Sequence, residues 1–492
     1  MNAKFTLPAL AALAVSMSGC DHYVKVNMLP YPQTPREDVT DTYFGHTVAD
    51  PYRWLEDPES EDTKHWVAAQ NRVTFDFLSQ IPYRDAIRSR IESLWNYPKE
   101  GLPRKVGEYY FVMRNDGLQN QSVLYRQKGI DGPAEVFLDP NTLSEDGTVA
   151  LGFISFSPDN RYMAYGISSA GSDWVEIRVM ETATGKRLSD KVNWVKFSGA
   201  EWTSDSKGFY YSRYDTPKQG RAYADKNENQ KVYLHRIGTA QNADIHIYQD
   251  KFHPLRYFSA EQSRDGKYLF INSSEGTSGA EILYRPTNGA ASFKTLCKGF
   301  ENDYTIIYSS DDVAYVYTND SAPNYRLVKI DLLDPRNITD IIPEGRHMLE
   351  SVSHVGGFFI ASYLENAVSK CYQYSTDGEI IRPIELAAIG SASGFRGDEN
   401  QTETFYALTS YLSPATIYRY DVQSGQTSLF WQPELKYDPE DFTTEQIFFE
   451  SKDGERVPMF ISHRKGLKLD GSNPTLLYGY GGFNISLTPG FN

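Results

Sequence analysis

Cysteine is scarce: three residues in 492, at positions 20, 297 and 371. None is in CxxC spacing, and two internal thiols leave either one disulfide or two buried free cysteines, the simpler reading. The nine histidines are scattered. Without HExxH or a Cys/His cluster, no metal and no cofactor are expected. Positive charge is also in deficit, with 49 Lys and Arg against 64 Asp and Glu and a formal charge of -15. A nucleic-acid surface needs Lys and Arg to displace counterions from phosphates, so that partner class is excluded. No acidic run stands out as a tail or patch, and the balance reads as ordinary solubility.

What is abundant is aromatic side chain: 14% of the chain, with 35 Tyr and 26 Phe. That favours strands over helices. A chain of this length exceeds a single core, since cores stop growing at roughly 250 to 300 residues, so at least two domains are expected.

Residues 1–20 read MNAKFTLPALAALAVSMSGC. One lysine, a short apolar run and small residues make a secretory signal, too short to span a bilayer as a stable helix. Met17-Ser18-Gly19-Cys20 resembles a bacterial lipobox, which implies a signal over 1–19, lipidation at Cys20 and a periplasmic or envelope location, with an unlipidated exported form as the alternative. After a polar, Pro-containing stretch, residues 57–94 read as helix. Asp62 or Thr63 is a candidate cap; Trp66, Val67, Gln70, Val73 and Phe77 recur at helical spacing. Pro82 divides this segment, and Ile87, Ile91 and Leu94 form an apolar side of a second helix.

From about residue 97 the pattern becomes short aromatic strands between polar turns. Phe156 to Tyr165, Thr203 to Ser212, Ser263 to Asn272 and Ser309 to Thr318 share one theme, and Val106 to Met113, Val355 to Ser362 and Thr402 to Thr409 are weaker copies. Seven units about 44 to 59 residues apart match the length of a four-stranded blade. A mainly β fold with a seven-bladed β-propeller over 97–438 is therefore expected; stacked β-sandwiches are the competing architecture. Tyr325 to Asp331 and Ile417 to Asp421 read as the later strands of their blades. Beyond Pro439, Ser451-Lys-Asp-Gly454 predicts a hairpin turn, and Pro474 to Gly482 reads as a buried strand breaking into glycines.

Several of these segments carry a family resemblance. Asp50-Pro-Tyr-Arg-Trp-Leu-Glu-Asp-Pro58, Gly117-Leu-Gln-Asn-Gln121, Gly171-Ser-Asp-Trp174, Pro323-Asn-Tyr-Arg326 and, above all, Tyr478-Gly-Tyr-Gly-Gly-Phe-Asn-Ile-Ser486 resemble the prolyl oligopeptidase family of serine peptidases. Oligopeptidase B, a relative specific for basic residues, ranks second. The resemblance implies a propeller inserted into an α/β-hydrolase domain, represented here by an N-terminal helical segment (20–96) and first strands (439–492). It also implies cleavage of short peptides after proline, by a monomer, with the apolar helix faces packing on the hydrolase. By the same resemblance Tyr480 donates to the oxyanion, Gly481 and Gly482 permit a tight backbone turn, and Phe483 and Phe197 touch substrate. A lone Phe197 in a strand would otherwise be a core residue. The family's nucleophile sits on a Gly-x-Ser-x-Gly elbow, and this sequence has none. Gly390-Ser-Ala-Ser-Gly394 has the wrong spacing and reads as a flexible loop. The expectation is a truncated peptidase, inactive alone; a catalytically dead periplasmic lipoprotein that binds peptides is the alternative.

Overall fold

The computed structural model describes residues 29–289, 291–483 and 485–491. The export segment 1–19 and Cys20 lie outside the described residues. The chain divides into two compact units, one holding the residues up to Ile87 with Lys218–Asp225, the other Arg88–Pro217 with Lys226–Asn492.

In the first unit, Thr40–Tyr43 and His46–Ala49 form a hairpin. Its turn residues, Phe44 and Gly45, have φ of 51° and 83°, the positive angles a two-residue turn needs to match strand twist. Helix α1 spans Glu61–Ser79; helix α2 spans Arg84–Trp95, most of it, from Arg88 on, in the second unit. The cap of α1 is Ser60, not Asp62 or Thr63: the Thr63 N–H donates to Ser60 Oγ at 3.2 Å. Glu61 and Asp62 instead lie in the first turn, where their charge favours the positive end of the helix dipole. Trp54 and Trp66 meet edge to face with centroids 6.5 Å apart, and their indole N–H groups donate to Pro35 O and Thr34 Oγ1. Trp66, Gln70 and Val73 are thus half-buried, whereas Val67, Phe77, Ile87, Ile91 and Leu94 stay exposed.

Among the described residues the second unit contains seven blades of antiparallel strands, blades 2 and 3 being joined into one eight-stranded sheet where Val195 stands opposite Arg213. All seven strands read from the repeated theme are the second strand of a blade: Tyr109–Asn115, Tyr162–Ser169, Gly208–Arg213, Tyr268–Ser274, Val313–Thr318, Phe358–Glu365 and Glu403–Thr409. The theme has a mechanical cause in its turn. In blades 2, 3 and 4 a hydroxyl donates to a carboxylate two residues on (Ser157 to Asp159, Thr203 to Asp205, Ser263 to Asp265) at 2.6 to 2.7 Å. The same carboxylates accept the N–H groups of Arg161, Lys207 and Lys267. Side-chain bonding of this kind offers the backbone a turn in place of a ladder. These turns also bind the next blade, since the Asp159 N–H donates to Ser206 Oγ and the Ser204 N–H to Gln262 Oε1.

Burial is concentrated between blades. Phe111, Leu124, Phe156 and Tyr165 fill the interface of blades 1 and 2, and Phe359, Leu327 and Leu349 that of blades 5 and 6. Between blades 7 and 1 the apolar cluster of buried side chains among the described residues is smaller, Tyr110, Phe405 and Ile417, with Leu102, Ile130, Phe430 and Trp431 half-buried against it. Cys297 and Cys371, on different blades, are buried and free. Burial pushes both thiols up, to about 12 and about 11, which keeps them protonated.

Two expectations fail here. Ser391–Gly394 is not a flexible loop but the first strand of blade 7, paired with Gly394 opposite Tyr406. Small residues suit it because a Cβ on Gly394 would stand 2.7 Å from Phe405 O and from Leu102. The hairpin of Phe442–Glu450 and Arg456–Arg464 forms as read. Residues 474–482, by contrast, form no strand. No strand among the described residues pairs with them, so their apolar side chains have no sheet to be buried in. Leu476 and Leu477 are 90% and 83% exposed.

Candidate functional site

The residues singled out for chemistry fall at two places in the second unit. Tyr480 lies beyond the hairpin and is half exposed, while Phe483 is 90% exposed with φ of 54°. The Ile485 N–H donates to Gly482 O at 3.2 Å, closing a turn around that left-handed Phe483. Gly481 and Gly482 do not create this turn by being glycine. Neither has positive φ, a Cβ on Gly481 would meet nothing within 4 Å, and one on Gly482 would only touch the Tyr480 ring at 3.8 Å.

Phe197 follows the outer strand of blade 2 (Arg187–Val195) and is no core residue: it is 56% exposed, with φ of 54°. Its ring lies 6.1 Å from that of Tyr257. Lys196 Nζ stands 4.9 Å from the Trp174 ring centroid and 5.5 Å from that of Phe197, within cation–π range of both. Trp174 in turn meets Trp194 and Tyr214 edge to face at 5.5 and 6.1 Å. The Lys196 carbonyl is fixed by Gln230 Nε2 at 2.8 Å, and burial pushes the Tyr214 phenol up to about 12. Such a surface offers aromatic faces and one cation, which is already engaged by Asp173 Oδ2 at 3.7 Å and donates to Asn227 Oδ1 at 3.4 Å. Of its members only Phe197 is named by sequence reasoning as a contact residue. Trp174 stands in a diagnostic motif without a role, Trp194 and Lys196 are sequence neighbours of Phe197 that carry no motif, and Tyr214 and Tyr257 join them only in the folded chain. No hydrogen bond, ion pair or ring contact joins Tyr480 or Phe483 to this cluster among the described residues.

Residues 32–433 match the family described as prolyl oligopeptidase, N-terminal β-propeller domain. The chain belongs to the prolyl oligopeptidase family. It is 43% identical over 469 residues to a prolyl endopeptidase of Elizabethkingia meningoseptica, covering 95% of this chain and 66% of that one. It is 35% identical to the dual function macrocyclase-peptidase POPB of Galerina marginata, covering 94% and 68%. Among solved structures, a prolyl endopeptidase superposes with a TM-score of 0.82 at 34% identity, covering 94% of this chain and 68% of the other. Prolyl oligopeptidase B from Galerina marginata bound to a 35mer hydrolysis and macrocyclization substrate gives 0.80 at 34%, covering 94% and 69%. The chain spans just under two thirds of the length of the Elizabethkingia relatives.

Proposed function

We propose that this chain is the propeller-bearing part of an exported prolyl oligopeptidase that cleaves short peptides after proline by serine chemistry. Family membership together with the Tyr478 to Ser486 segment carries the reading, because in a peptidase that segment would supply a phenol donor to the oxyanion that forms in acyl transfer. In this reading the Tyr480 hydroxyl donates to the tetrahedral intermediate, Phe483 packs on the proline ring, and Phe197 contacts the peptide from the propeller. A serine, a base and an orienting carboxylate must complete the site. The sequence offers no elbow serine, so residues 1–492 assayed by themselves are expected not to turn over a chromogenic Gly-Pro substrate. Turnover abolished by a serine-directed phosphonate, in protein free of longer species, would refute this. The protein acts as a monomer in the periplasm or at the cell envelope, anchored through lipid on Cys20. Cys20→Ala should move it from the membrane to the soluble fraction; an unchanged distribution removes the anchor from the proposal.

One observation favours a second reading, a peptide-binding lipoprotein without catalysis: the aromatic and lysine cluster around Phe197 stands entirely on the propeller. Reading the gene past codon 492 separates the two. A Gly-x-Ser-x-Gly in any frame supports the peptidase, and its absence supports the binding module.

A further inference from the structure

A fully buried histidine lies between two buried aspartates at the junction of blades 2 and 3. His235, on the third strand of blade 3 (Lys231–Arg236), places Nδ1 2.7 Å from Asp244 Oδ1 and Nε2 3.0 Å from Asp190 Oδ1. The imidazole is 0% exposed and both carboxylates 1%. Asp190 belongs to the outer strand of blade 2, and Asp244 follows the turn Gln241–Ala243 that leads into the last strand of blade 3. The array therefore spans two blades whose sheets share only one strand-pair contact, Val195 opposite Arg213.

Proton counting shows the state of the array. Each ring nitrogen faces a carboxylate oxygen, so two N–H donors are needed, and a neutral imidazole has one. Either the ring is an imidazolium or one carboxyl is protonated. The surrounding donors decide between these. The Gly238 N–H donates to Asp190 Oδ1 at 2.6 Å, and the Tyr211 hydroxyl donates to Asp244 Oδ2 at 2.6 Å. Burial and a partnerless Oδ2 press Asp190 towards protonation, but its bonds from His235 and the Gly238 N–H outweigh them and hold it below the usual carboxylate range, which leaves the second proton on the ring. The titratable groups facing His235 are Asp190 from blade 2, Asp244 from the turn and Tyr211 from the second strand of blade 3, with Arg213 further along that strand. The Phe209 ring closes one side at 5.1 Å.

We propose that Asp190, His235 and Asp244 form an alkali-sensitive rivet: the imidazolium ties the outer strand of blade 2 to blade 3, and loss of one proton loosens that junction. A neutral ring would turn a lone pair towards one of the carboxylates and leave two negative charges in a dry interface. Burial by itself would push His235 down from 6.5, but its bonds and charge pairing with the two aspartates outweigh burial and hold it up at about 9. Because the folded value lies above the unfolded one, the stabilisation is complete below about pH 6.5 and is lost as the pH rises through about 9. The Asn193 backbone and the Gln241 side chain also link the blades, with two bonds of 3.0 Å that do not titrate. Deprotonation should therefore loosen the junction without separating the blades.

Hydrogen exchange on the 492-residue chain tests this. Corrected for intrinsic base catalysis, protection over residues 187–195 and 231–244 should fall about ten-fold or more between pH 7 and 10, while residues 326–331 of blade 5 stay constant. His235→Asn should be poorly protected there already at pH 7, with no further step. Asp190→Asn removes one of the two charges that hold the proton, so its step should move to lower pH. A flat wild-type profile, or parallel profiles for wild type and His235→Asn, would overturn the rivet. Should His235→Asn not fold, nitrogen-15 spectra of wild-type histidines, assigned with Asp190→Asn, decide instead: both His235 nitrogens protonated at pH 7 support the rivet, and one bare nitrogen rejects it.

Discussion

Glu403 shows what a single side chain carries where two blades meet with little apolar contact. It sits on the second strand of blade 7, 5% exposed, accepts a hydrogen bond from the Tyr110 hydroxyl of blade 1, and lies 3.6 Å from Lys105 Nζ and 2.5 Å from Arg419 Nε. Burial first, and then Glu403 itself, hold the Tyr110 phenol well above its ordinary range, so it remains a donor. Lys105 and Arg419 are partly exposed and rehydrate easily if the carboxylate is removed, whereas the Tyr110 hydroxyl does not. Glu403→Ala should therefore cost about 2 kcal/mol, most of it from the orphaned hydroxyl. Urea unfolding measures this, and an unchanged midpoint would show that the polar contacts contribute nothing to closure between blades 7 and 1. Phe197 makes the opposite point: a residue whose type suggests core stands half exposed because its backbone leaves the strand in a left-handed conformation.

For whole elements, the deciding factor is whether pairing is local. Helix α1 needs only its own residues to start, namely Ser60 as cap and Glu61 and Asp62 in the first turn, and it ends shortly before Pro82, which lacks an N–H. Ser60→Ala should destabilise it by about 1 kcal/mol, seen as faster exchange of the Thr63 amide; unaltered exchange would mean that the tryptophan contacts alone hold the first turn. The second strands of blades 2, 3 and 4 are legible for a related reason, since each is entered through a polar turn bonded within a few residues. Ser391–Gly394 has no such local signal. Its small residues read as loop, and it becomes a strand only because Glu403–Thr409 supplies the ladder. Residues 474–482 are the converse, a strand-like apolar run that finds no ladder among the described residues.

Across the molecule, resistance to attack should follow this division. Limited proteolysis should cut first within 465–483, where no helix or strand protects the backbone, and should spare the hairpin of 442–464 and the blades. First cuts inside a blade would contradict the packing described between blades.

The amino-acid sequence by itself determined the seven-fold repeat, the strand that opens each repeat's hairpin, the helical segment and the family. Each of these is written in short-range pattern: alternation, turn chemistry, or contiguous motif. Only the tertiary structure decided that Phe197 faces solvent beside Lys196 and Tyr257, that Ser391–Gly394 is a strand, and that His235 stands between Asp190 and Asp244. Those facts turn on partners that no contiguous motif holds together, Phe197 with Tyr257 and Asp190 with His235 above all, brought within ring-contact or hydrogen-bond distance by blade packing.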